Sequence, residues 1–105
     1  MPGKARVCSL DEMPVGTARR VEVDGLAIAL VHCTGGYRAV SDTCSHEDYS
    51  LAEGEVYPDE CEIECWKHGS TFSLETGAPL TLPATQPVKV FEVVVDGSDV
   101  WVVVP

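Results

Sequence analysis

The residues best equipped for chemistry lie in one stretch, Cys44 to His68. Cys44-x-His46 and Cys65-x-x-His68 are two short pairs separated by eighteen residues, and each offers one thiolate and one imidazole. Four donors of these types can hold a transition metal. One zinc ion bound by two Cys and two His is one answer. A two-iron, two-sulfide cluster is the other, with both thiolates on one iron and both imidazoles on its partner. Zinc fingers usually separate a Cys pair from a His pair, whereas each pair here mixes the two types. That mixing suits a centre in which both loops must reach both irons.

Around the four donors the chain resembles the Rieske ferredoxins. Their pattern is C-x-H, a Leu and a Gly at set offsets, C-x-x-H-G, an aromatic and a T-G turn. Here these are Cys44, His46, Leu51, Gly54, Cys65, His68, Gly69, Phe72, Thr76 and Gly77, followed by Leu82-Pro83-Ala84 and Pro87 where the family has a proline-containing loop. Trp66 departs from the pattern, replacing a frequent Pro after the second cysteine. The resemblance covers nearly the whole chain. It implies one Rieske [2Fe-2S] cluster held by Cys44, His46, Cys65 and His68 at one tip of a β scaffold.

Charge counting explains the histidines. Two thiolates and two neutral imidazoles leave the oxidised site neutral, so adding an electron is easier than at a four-cysteine cluster. Rieske potentials accordingly span about −150 to +300 mV. The resemblance also places this chain within that range. The high-potential subunits of cytochrome bc complexes carry a loop disulfide at positions that fall here on Tyr49 and Lys67, neither of them Cys. Those subunits also have Ser and Tyr hydroxyls donating to cluster sulfur; Ser70 keeps the first and Phe72 lacks the second. A low potential is expected, lifted slightly by Ser70. Each ligand imidazole should keep one ring nitrogen at the solvent, so the potential should fall once pH exceeds the oxidised-state histidine pKa.

The chain of 105 residues suffices for one domain with a modest core. At 45% hydrophobic and 23% charged the composition is globular. With no apolar run of membrane-spanning length and no leader-like opening, a cytoplasmic protein is expected. The net charge of −10 disfavours nucleic acid and favours basic protein partners. Eight of the seventeen acids lie between the pairs, namely Glu47, Asp48, Glu53, Glu55, Asp59, Glu60, Glu62 and Glu64, uninterrupted by Lys or Arg. They read either as a solvated face or as a docking rim. Cys8, Cys33 and Cys61 remain, expected to be reduced and mostly buried; a Cys33–Cys61 disulfide is the alternative.

Along the chain, strands are expected at Arg6–Ser9, Thr17–Val23, Leu26–Cys33 and Tyr37–Ser41, the third buried on both faces. Ser9-x-x-Glu12 suggests one capped helical turn. Turns fall at Asp24-Gly25, Gly35-Gly36, Thr76-Gly77 and Asp96-Gly97. A small strand pair is expected at Glu55–Tyr57 and Cys61–Cys65, with Glu62 and Glu64 outward and Cys61 and Ile63 inward. Ser70–Leu74 follows the second pair. Three prolines make residues 78–88 a non-helical loop, and Lys89–Val95 with Asp99–Val104 forms a closing hairpin. The architecture is all-β: an antiparallel scaffold in one Rieske domain, residues 1–105, with a cluster-binding subdomain at about 43–72.

No substrate pocket, general acid–base pair or facial triad is apparent, so the chain reads as an electron carrier and not an enzyme. The resemblance implies transfer from a flavin-containing ferredoxin reductase to a terminal oxygenase. Rival readings are an accessory role in iron–sulfur assembly, a small subunit of a multi-subunit reductase, and a zinc-stabilised interaction module. His32 is expected to be a structural or surface histidine and not a ligand, and Trp66 to pack its own loop or to anchor a docking partner. Trp101 is expected to lie in core or on a sheet face, and Lys67 to be solvated or to offset nearby acids.

Overall fold

The structure, a computed structural model, describes residues 3–43, 49–67, 69–82 and 85–104. Among the described residues, nine strands form two antiparallel sheets. The larger contains β1 (Gly3–Ser9), β2 (Ala18–Val23), β3 (Leu26–Cys33), β4 (Gly36–Ser41), β8 (Val90–Asp96) and β9 (Asp99–Val104). Its order is β1-β9-β8-β4-β3-β2. The smaller contains β5 (Glu55–Tyr57), β6 (Glu62–Glu64) and β7 (Thr71–Ser73), with β6 central. One turn of 3₁₀ helix, Leu51–Glu53, precedes β5. Among the described residues no helix is long and apolar enough to cross a membrane.

The period-two pattern of β3 accounts for the two-sided core. Ala29, Val31 and Cys33 point to one face, where they meet Val40, Leu51, Ile63, Cys65, Phe72, Leu74 and Val88. Ile28 and Leu30 point to the other, against Tyr37, Ala39, Phe91, Val100 and Val102. The expected burial of this strand on both faces is therefore observed. The first core joins the two sheets and includes the second loop's cysteine. The second core belongs to the large sheet and its N-terminal loop.

The Asp24-Gly25 hairpin is as expected, with φ of 50° and 80° matching a primed two-residue turn. Two other turns sit one residue earlier or later than expected. Thr34 and Gly35 make the β3–β4 turn because Gly36 pairs with Cys33. Gly97 and Ser98 make the last turn because Asp96 pairs with Asp99. Glu12 does reach back, its carboxylate accepting the Ser9 N–H at 2.5 Å, but the segment is a turn and not a helix. Pro14 stops propagation two residues later. Cys61 is not a strand residue; it turns at φ 56°, and β6 starts at Glu62.

His32 is structural, as expected. Its Nδ1 lies 2.6 Å from the Met13 carbonyl and its ring stacks on Tyr37 at 4.1 Å. Trp101 lies half-buried on a sheet face beneath the Lys4 ammonium.

Candidate metal centre

The first loop stands on a closed base. Where β4 ends, the Asp42 N–H donates to the Ala27 carbonyl at 3.0 Å. Its carbonyl accepts the Leu51 N–H at 2.6 Å, and its Oδ1 accepts the Ala52 N–H at 2.9 Å. A bridge between Thr43 and Ser50 continues the closure. One carboxylate thus cinches the chain before and after the segment that contains Cys44 and His46. Asp42 is buried, and its second oxygen lies 3.2 Å from Arg20 Nε.

The second loop is narrower. The Cys65 N–H donates to the Ser70 carbonyl at 2.7 Å, and the Cys65 carbonyl accepts the Gly69 N–H at 3.0 Å. Gly69 has φ 77°, and a Cβ there would touch nothing, so glycine is needed for conformation and not for space. Burial of Ile63 and the alternation of β6 place Cys65 inward, fully buried, with buried Ser70 beside it. Glu62 and Glu64 are half-buried instead of wholly solvated; the Tyr57 hydroxyl donates to Glu64 at 2.9 Å. That bond pushes the Tyr57 hydroxyl up to about 12.

The proline-rich loop backs the second one. The Thr81 hydroxyl accepts the Thr71 N–H at 2.8 Å and donates to the Gly69 carbonyl at 3.3 Å. The Leu80 N–H donates to the Thr71 carbonyl at 2.6 Å. Further out, Leu82 is 77% and Trp66 49% exposed. Trp66 meets the Tyr49 ring edge-on at 5.1 Å, so it packs between the two loops while keeping half its surface in solvent. The Lys67 ammonium lies 5.8 Å from both ring centres. Among the described residues, no acid from Glu53 to Glu64 makes a salt bridge, which leaves this end negative.

Of the four expected ligands, Cys44, His46 and His68 lie outside the described residues, as do Glu47, Asp48, Pro83 and Ala84. Cys65 is the one whose position is given. Among the described residues no group of three or more His, Cys, Asp or Glu is placed to hold a metal ion. The surroundings nonetheless fit a bound cluster. A fully buried thiol becomes a thiolate readily when a metal compensates its charge. Ser50 Oγ, at the base of the first loop, is buried without a hydrogen-bond partner among the described residues. Sequence reading missed Asp42 and Thr81. An acid placed directly after a strand and two residues before Cys44 was the available signal for the first; Thr81 acts through partners ten and twelve residues away and leaves no local trace.

Two antiparallel sheets, with the buried Cys65 directly after the central strand of the smaller one, are the frame of an iron–sulfur electron-transfer domain. Residues 3–92 match the Rieske [2Fe-2S] domain family, and the chain belongs to it. A 3-phenylpropionate/cinnamic acid dioxygenase ferredoxin subunit from Photorhabdus laumondii is 43% identical over 98 residues, which is 93% of this chain and 91% of that protein. The ferredoxin of carbazole 1,9a-dioxygenase from Nocardioides aromaticivorans superposes with a TM-score of 0.91 at 36% identity, covering 94% of this chain and 95% of that one. A chain from the complex of reduced oxygenase and oxidised ferredoxin of carbazole 1,9a-dioxygenase gives 0.87 at 39% identity, over 93% and 99%. The protein is thus a ferredoxin-class component with one Rieske-type [2Fe-2S] cluster, which supplies a one-electron couple.

Proposed function

We propose that this chain is the low-potential carrier of an oxygenase system. In this reading it takes single electrons from a flavin-containing ferredoxin reductase and delivers them to a terminal oxygenase. Cys44, His46, Cys65 and His68 hold the cluster, within a subdomain of about residues 43–72 in a single domain. The cytoplasm is the expected compartment. The observation that carries the reading is the likeness, over nearly the full length of both chains, to ferredoxins of dioxygenase systems, one of them from a complex with its oxygenase.

The chain's own residues hold, shield and present the cluster. Asp42 and the Cys65–Ser70 turn fix the two loops, while Phe72 and Leu74 keep water from the inner side. The uncompensated acids favour partners with basic docking surfaces, since complementary fields act mainly on encounter rate.

The test is reconstitution without oxygen. Equal iron and acid-labile sulfide, two of each per chain, and a low-temperature EPR signal after dithionite are expected. Turnover with a reductase and oxygenase pair should follow, slowing as salt rises. A colourless, EPR-silent sample removes the cluster; a good cluster that no such pair reduces or oxidises removes the carrier role.

A further inference from the structure

Two cysteines that the cluster does not use meet where the sheets join. Cys33 ends β3 and is 1% exposed, whereas Cys61 sits half-buried in the β5–β6 turn. The Cys61 thiol donates to Cys33 Sγ at 3.0 Å. The backbone on both sides is pinned. The Thr34 N–H donates to the Pro58 carbonyl at 3.1 Å, and the Thr34 hydroxyl to Asp59 Oδ1 at 2.6 Å. From the other direction, the Leu74 N–H donates to the Cys61 carbonyl at 2.9 Å. Cys61 holds its positive φ within this frame, a conformation that a β-carbon disfavours. Any small apolar residue would fill this corner, yet the fold brings two sulfur atoms into contact.

We propose that Cys33 and Cys61 form a dithiol–disulfide couple, oxidised by a small-molecule disulfide such as glutathione disulfide, that staples the Cys65-bearing sheet to the six-stranded sheet.

Exposure sets the order of events. Cys61 is the accessible thiol. It gives up its proton, and its thiolate attacks one sulfur of glutathione disulfide; a Cys61–glutathione bond forms and one glutathione thiolate leaves. Cys33 then gives up its proton and attacks Cys61 Sγ. The Cys33–Cys61 bond forms and the second glutathione thiolate leaves. Two thiols lose two electrons and two protons, and one glutathione disulfide becomes two glutathiones. The sulfurs must close from 3.0 Å to about 2.05 Å, a movement within reach of side-chain torsions. Burial, helped by the Cys61 hydrogen bond, pushes the Cys33 thiol up to about 12, so the second attack is slow near neutrality and quickens with rising pH. This couple moves two electrons with protons and is independent of the one-electron centre and of its partners.

The experiment uses the cluster-loaded protein under nitrogen, equilibrated with glutathione and glutathione disulfide at graded ratios. Samples are quenched in acid, alkylated and mapped by mass spectrometry without reduction. Oxidation is expected to remove two alkylatable thiols and yield a cross-linked peptide pair containing Cys33 and Cys61, with the visible spectrum of the cluster retained. The oxidised form should unfold at higher urea, and dithiothreitol should reverse the shift. Cys33→Ser should instead trap glutathione on Cys61. The proposal falls if both thiols stay alkylatable at the most oxidising ratio. It also falls if wild-type protein accumulates a stable glutathione adduct on Cys61, or if the cross-link forms only after the cluster has bleached.

Discussion

Gly54 stands where the first loop returns to the small sheet, and replacing it with alanine tests how tightly that sheet is built. Its φ and ψ of −84° and −178° suit any residue, so no backbone strain is involved. Space is the constraint. An added Cβ would lie 1.7 Å from the Glu64 carbonyl oxygen, 2.9 Å from the Glu64 carbonyl carbon and 3.2 Å from the Leu51 oxygen. All three are backbone atoms and cannot swing aside. Glu64 pairs with Glu55 on one side and Thr71 on the other, and the next residue is Cys65. Relief therefore means moving β6 and its cysteine. Overpacking of this kind costs about 1–3 kcal/mol, and one weakened ladder bond adds about 1 kcal/mol. A loss of about 2–4 kcal/mol would consume much of a typical total of about 5–15 kcal/mol. At about 4–8 °C per kcal/mol, melting should fall by on the order of 10–30 °C. Anaerobic urea titration, followed by far-UV CD and by cluster absorbance, measures the effect. Gly35→Ala is the control, because a Cβ there meets nothing within 4 Å and no positive φ is required. Gly54→Ala that binds full iron and sulfide and unfolds within about 0.5 kcal/mol of wild type would refute the packing argument.

Asp42→Ala should cost about 1–3 kcal/mol by leaving the Ala52 N–H without its acceptor. It should also shorten cluster lifetime, while Asp42→Asn, which keeps an oxygen there, should do less; equal effects of the two in a urea titration would contradict this. Ser70→Ala should lower the potential, because a buried hydroxyl beside Cys65 favours the more negative reduced state. A hydrogen bond of about 0.5–1.5 kcal/mol corresponds to about 20–65 mV for one electron, readable by spectroelectrochemistry, and an unchanged or higher value would count against it. The Tyr57 hydroxyl, held protonated by Glu64, stabilises the fold below its ordinary value of 10.0. That contribution should vanish as pH climbs from there through about 12, the proton being bound in the folded state and lost in the unfolded one. Tyr57→Phe should flatten this alkaline slope in stability measured against pH, and an identical slope would remove the assignment.

Strands were legible because their side chains alternate. Leu26–Cys33 and Asp99–Val104 were read with the bounds observed, and the donor pattern was legible because it is local. What escaped depends on distance. Glycine position alone could not say whether Gly35 and Gly97 lead or follow in their turns, since the cross-strand register decides that. Cys61 read as a strand residue on alternation, yet Leu74 at its carbonyl, Cys33 at its thiol and Thr34 bound to the neighbouring Pro58 and Asp59 hold it in a turn. The anchoring roles of Asp42 and Thr81 arise from partners that only folding supplies.

The large sheet has a narrow seam. β4 and β8 share two residue pairs, Ala39 with Phe91 and Val40 with Val90, whereas β8 and β9 share five. The inner core that contains Cys65 draws on β3, β4, β6, β7 and Val88, and takes nothing from β1, β8 or β9. Opening that seam would part the second core, where Ile28 and Leu30 pack against Phe91, Val100 and Val102, but not the inner core around Cys65. The flank that carries β8 and β9 shares its core with β3 and not with Cys65, so amide exchange in β9 and cluster release should run on separate clocks.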